Sequence, residues 1–277
     1  MATGQDERST THGRPAGIAS MAASIGLAFA ALIVTMGVLR VGGESLSRAV
    51  FNYGDAFVEG VATLIVVYSA SRLDDELSRG TWFSVGAAIA LTAVGDVLWV
   101  QGEAAHSGVT LAELTYLTGS IVMAIALIRY ALSYRARVDV RRAIAESSLI
   151  ALAAGLVLWA AFLNPAVEVV GGITPAVLQE VAYVVVDFAL LLAPAIVVLL
   201  VVVASGNGRD ARPWLFVVVG AAATVVSDAG WFLERIQGGT VPGPLTTFGF
   251  MASTVFIAAG ALNALILQEE RARTGEA

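Results

Sequence analysis

Cysteine and lysine are both missing from this chain, and histidine occurs only at positions 12 and 106. Without cysteine there is no disulfide, no thiol nucleophile and no thiolate-bound metal. Without lysine there is no Schiff base, and so no retinal-type chromophore on a helix lysine. His12 lies in a polar tail and His106 in a short loop, which excludes a bis-histidine haem inside a helical bundle. Charge is scarce as well. Only 14% of residues are charged and the net charge is −6, with no basic domain, so nucleic acid is not an expected partner. The sequence has no phosphate loop, zincin motif or Gly-x-Ser-x-Gly elbow, and neither a metal nor a cofactor is expected.

What the chain has in abundance is apolar length. Of 277 residues, 57% are hydrophobic, the composition of a polytopic membrane protein. Residues 1–15 are polar and without period, a disordered tail. Eight segments then follow, each long enough to cross about 30 Å of hydrocarbon: 16–39, 49–70, 82–101, 112–134, 143–163, 176–203, 213–233 and 245–268. The sixth contains Pro194, which predicts a kink or tilt. The expected class is all-α.

A spacing recurs across these segments. Val94-Gly95-Asp96-Val97-Leu98-Trp99 is echoed by Val226-Ser227-Asp228-Ala229-Gly230-Trp231, each placing Asp and Trp on one helix face, 132 residues apart. The same offset of 132 joins Asp55 to Asp187, Trp82 to Trp214, Thr115 to Thr247 and Tyr116 to Phe248. The pattern predicts an ancestral duplication: two parallel four-helix repeats, 16–134 and 143–268, followed by a tail at 269–277.

Arginine sets the expected orientation. Thirteen of the sixteen lie on the side of the termini, and only Arg40, Arg48 and Arg235 lie on the other. The positive-inside rule then puts both termini in the cytoplasm of a multi-pass plasma-membrane protein. The acids are distributed differently. Eleven belong to the outer half, which leaves it strongly negative against its three arginines. By helix rise, Asp55, Asp96 and Asp228 lie roughly 7–9 Å below the outer boundary, and Glu59 and Asp187 about 15 Å down.

Carboxylates at that depth cost about 2.5–3.5 kcal/mol each on insertion scales, and they are expected to face the bundle interior. Helix spacing agrees. Asn52, Asp55 and Glu59 share a face, as do Glu180, Tyr183 and Asp187, and again Asp228, Trp231 and Arg235. With Asp96, Trp99, Glu113 and Tyr116 they predict an acidic, aromatic-lined cavity open to the outside. Its candidate ligand-binding residues are Asp55, Glu59, Asp96, Trp99, Tyr116, Glu180, Tyr183, Asp187, Asp228 and Trp231. Were the protein an enzyme, Asp96, Asp228, Asp187 and Glu59 would be the catalytic candidates. The competing reading is structural: a buried Asp can accept a hydrogen bond from a Trp or Tyr of the other repeat and simply hold helices together. Arg235 is expected to anchor its helix at the headgroups, with a salt bridge to Asp228 or Glu234 as the alternative, and Trp82 and Trp214 to belong to the inner aromatic belt. Gly119, Gly155 and Gly220 are expected at close helix approaches.

The run GDVLWVQGEAAHSGVTLAELTYLTGSIVMAIALIR (95–129) resembles the membrane-embedded N-terminal regions of actinobacterial GGDEF/EAL signalling proteins. Tyr183-x-x-x-Asp187 and Asp228-x-x-Trp231 are similar to that pattern too. The resemblance implies a sensory or anchoring module. Because LQEERARTGEA alone follows the eighth span, the expected partner is a cytoplasmic signalling protein acting in trans. GAAATVVSDAGWFLE (220–234), with AVGDVLW, is similar to the eight-span YhhN/lysoplasmalogenase family, with Glu113 where that family has a histidine before the tyrosine. That likeness implies hydrolysis of a vinyl-ether lipid, with Asp96 and Asp228 as its acids. Three readings therefore stand: a ligand-binding sensor for cations or amines, an acid–base enzyme on a lipidic substrate, and a cation- or proton-coupled transporter.

Overall fold

The computed structural model describes residues 14–102, 110–164, 167–168, 172, 175–206, 208–237 and 242–275. They form α1 (Arg14–Val38), α2 (Glu44–Ser71), α3 (Glu76–Val100), α4 (Leu111–Ser133) and α5 (Val140–Leu158). The fifth span runs on through a π turn, Trp159–Leu163. The sixth is built from α6 (Pro175–Asp187), a second π turn (Phe188–Leu192) and α7 (Ala193–Ala204). Two further helices follow, α8 (Ala211–Ile236) and α9 (Pro244–Thr274). Eight of the resulting helices are long and apolar enough to cross a membrane, so the protein is all-helical and multi-pass. Large apolar side chains on its outside, such as Met21, Ile25 and Phe29 along one stripe of α1, are solvated by lipid.

Local chemistry sets where helices start. The Asp75 carboxylate accepts from Ser78 N at 2.7 Å to open α3. At α4, Thr110 Oγ1 accepts from Glu113 N at 3.2 Å, and Glu113 Oε2 accepts from Thr110 N at 2.8 Å, a reciprocal capping box. Asp139 caps α5 through Arg141 N and Arg142 N. The second span begins earlier than its hydropathy suggests. Gly42 and Gly43, at φ 82° and 91°, complete a turn tight enough for α2 to start at Glu44. The irregularity expected near Pro194 takes the form of the π turn before it. Proline has no N–H for the carbonyl four residues back, and a wider turn accommodates the loss.

α9 is the central helix, packed against α8, α1 and α2. α3 packs between α2 and α4, and α7 against α4, α5 and α8. Toward the end that carries both termini, Trp82 and Trp214 stack with centroids 5.1 Å apart and planes 13° from parallel, and Tyr130 leans on Trp214 at 4.5 Å. Both indoles are buried among Val85, Leu127, Val201 and Val217, which corrects the belt assignment. Their flat rings fill the space between helices and do not face headgroups. Gly119 and Gly220 sit at close approaches: an added Cβ would lie 3.0 Å from Ala88 O and 2.7 Å from Ser253 O. Gly155 does not, for an added Cβ there would meet nothing within 4 Å.

Candidate functional site

A cavity of about 670 Å³ occupies the half of the bundle away from the termini. α2 supplies Asn52, Asp55 and Glu59; α3 supplies Thr92, Asp96 and Trp99; α4 supplies Glu113, Tyr116 and Ser120. From the second half come Tyr183 and Asp187 of α6, and Thr224, Asp228, Trp231 and Arg235 of α8. Each set follows the three-or-four-residue spacing of one helix face. The site runs from Val100, at the end of α3, down to Ala88, about 18 Å of helix. Every candidate named from the sequence lines this one space except Glu180, which lies outside the residues whose side chains are described.

The carboxyls are organised in two groups. In the first, Tyr116 donates its hydroxyl to Asp96 Oδ1 at 2.8 Å, and Glu59 lies beside Asp96. In the second, Asp187 lies beside Asp228 and Ser120. Glu59 is only 5% exposed, yet its Oε2 has no hydrogen-bond partner, and neither has the buried Oδ1 of Asp55. Two acids near the cavity are engaged elsewhere. Glu113 is occupied by its capping box, and Glu234, just behind the site, accepts from Gly243 N at 2.7 Å and Thr246 Oγ1 at 2.9 Å, tying α8 to α9.

Arg235 differs from its expectation as a headgroup anchor. It lines the cavity, with its guanidinium carbon 5.7 Å from the Trp99 ring centroid and 5.8 Å from that of Trp231. The electron-rich faces of the two indoles hold the cation at the mouth. Its spacing of four from Trp231 already placed both on one face, but nothing in the sequence brings Trp99 of α3 to it. Ser120 escaped the sequence reading, although it follows Tyr116 by one helical turn. Thr224 and Ser253, which share a hydrogen bond at 2.6 Å across α8 and α9, add a polar wall that apolar periodicity gives no reason to single out.

Comparison with family models, with curated proteins and with solved structures finds no match. The site must therefore be read from its own chemistry.

Proposed function

We propose that this chain is an integral membrane sensor whose cavity binds an amine- or cation-bearing molecule. One observation carries the reading: Asp55 and Glu59 line the cavity, and each has a buried carboxyl oxygen without a hydrogen-bond partner. An ammonium bound beside these carboxyls would gain charge-assisted hydrogen bonds, and the ring of Tyr183 would add cation–π attraction of about 0.5–2 kcal/mol. The arginine bias of the sequence puts the termini in the cytoplasm and the cavity mouth outside the plasma membrane. A cytoplasmic signalling protein in trans would read its occupancy, as the likeness to GGDEF/EAL membrane regions implies.

The duplicated architecture belongs to the same proposal. α3 packs on α4 as α8 packs on α9, and α2 on α3 as the sixth span on α8. Trp82 and Trp214, 132 residues apart, lie ring to ring, as equivalent residues beside a pseudo-two-fold axis do. An acid–base enzyme on a lipidic substrate is the second reading. The observation that favours it is the pairing of carboxyls, Glu59 with Asp96 and Asp187 with Asp228, since such pairs can give and take a proton in one turnover.

The test is to purify the protein in mild detergent, identify co-eluting molecules by native mass spectrometry, and titrate alkylamines against matched alkyl alcohols. Amines are expected to bind, with affinity falling at least tenfold in the Asp55→Asn/Glu59→Gln double variant. Equal affinity for amine and alcohol would overturn the proposal. Turnover of a co-eluting lipid, lost in Asp96→Asn and in Asp228→Asn, would move the assignment to the enzyme.

A further inference from the structure

The walls of the cavity are not equally closed. Under the offset of 132, the seam between α2 and α9 corresponds to the seam between the sixth span and α4. α1 covers the first seam by packing on both α2 and α9. Its counterpart α5 packs on α7, and among the described residues its main contacts do not include α4. α4 itself packs against the π turn and α7, while α6 leans on α8. The outer halves of α4 and α6 therefore part beside the cavity. Leu114 and Leu117 of α4 line the cavity and are 50% and 40% exposed, and the exposed Ala182 lines it from α6. By contrast Thr246, the position equivalent to Leu114 on the sealed seam, is 5% exposed.

The two routes into the cavity differ in what lines them. The mouth at the helix ends is occupied by Arg235, whose guanidinium lies over Trp99 and Trp231. Among the described side chains the seam is lined by Leu114, Leu117, Ala182 and Val186, which suit a hydrocarbon chain. Inside, Asp55 and Glu59 line the cavity from α2 and Asp187 from α6, next to Val186.

We infer that the cavity is loaded sideways from the bilayer, through the seam between α4 and α6, by a single-chain amphiphile bearing an amine headgroup. The amine reaches the carboxyls while the alkyl chain lies between α4 and α6 and continues into lipid. This inference rests on the amine-binding reading above and adds the route and the amphiphilic class.

The absence of native cysteine makes the test direct. In a Leu117→Cys/Ala182→Cys variant the two new thiols are the only ones, and a reducible bifunctional methanethiosulfonate can bridge them across the seam. The full chain is placed in phosphatidylcholine vesicles with tritiated hexadecylamine, and protein-bound label is followed with time. Bridging is expected to slow loading at least tenfold. In protein loaded first and bridged afterwards, bridging should slow release by a similar factor until a reductant is added. Loading and release unchanged by the bridge overturn the lateral route while leaving amine binding intact. Failure of the unbridged variant and of the wild-type protein to retain hexadecylamine overturns the amine-binding reading itself.

Discussion

Replacing Glu59 by leucine separates a functional carboxyl from a structural one. Glu59 lies fifteen residues into α2, about 22 Å of helix from Glu44, and is buried with Oε2 unpartnered. The residue 132 positions on is Leu191, which lines the same cavity, so under the proposed duplication leucine already stands at the corresponding place in the other half. An unsatisfied buried polar group costs about 1–3 kcal/mol, and substituting buried ionic groups with apolar ones of similar volume often stabilises by about 1–4 kcal/mol. Against this, the polar contact beside Asp96 is lost, worth about 0.5–1.5 kcal/mol, although Asp96 keeps the Tyr116 hydroxyl. The balance is a gain of about 1–2 kcal/mol, or an increase in Tm on the order of 5 °C for a chain of this size. Thermal unfolding followed by circular dichroism in bicelles gives the first quantity, and alkylamine titration the second. Glu59→Leu is expected to unfold at higher temperature and to bind amines at least tenfold more weakly. A fall in Tm of several degrees with amine binding intact would mean that Glu59 is an interhelical tie, and the reasoning fails.

Tyr116→Phe keeps the ring but removes the donor to Asp96, and is expected to lower stability by about 1–3 kcal/mol in the same unfolding assay. The glycines divide by surroundings: Gly260→Ala drives a methyl to 2.7 Å from Pro213 O and should destabilise by about 1–3 kcal/mol. Gly155→Ala meets nothing and should stabilise by up to about 1 kcal/mol. Trp82→Ala and Trp214→Ala should each cost about 3–5 kcal/mol, and the double variant should fall short of their sum by about 0.5–1.5 kcal/mol, which a double-mutant cycle measures. Pro194→Ala restores the missing N–H, and is expected to draw α6 toward α4 and slow hexadecylamine loading severalfold, read by the same label-uptake assay.

The spans were legible because a helix in lipid must satisfy its backbone internally, and that forces long apolar runs whatever their partners. The faces of the cavity were legible for a related reason. Acids inside such runs are costly, so Asp55, Glu59, Asp96, Asp187 and Asp228 point inward together. What the sequence could not supply was the neighbour on another helix. Arg235 had an anchor, a salt bridge or an aromatic face open to it, and only the placement of α3 against α8 selects the rings of Trp99 and Trp231. Trp82 and Trp214 sit near helix starts, where an indole commonly meets headgroups, yet each finds the other in the interior. Gly155 shows the same limit from the other side, since a small residue permits close approach without requiring it.

A doubled frame by itself yields two equal seams, both open or both covered, so access through one of them requires the halves to differ. The differences converge on the sixth span. Asp55 and Asp187 stand 132 residues apart, but the helix after Asp55 is regular, whereas the helix after Asp187 passes through a π turn before Pro194. Because the turn interrupts the regular ladder, α7 can stay against α4 and α5 while α6 packs on α8. Glu59 has Leu191 132 positions on, so α2 brings two acids to the cavity, Asp55 and Glu59, where the described side chains of the sixth span bring one, Asp187. On the proposed lateral route an amphiphile meets Leu114, Leu117 and Ala182 before it reaches these carboxyls, the order in which its chain and headgroup must be accommodated.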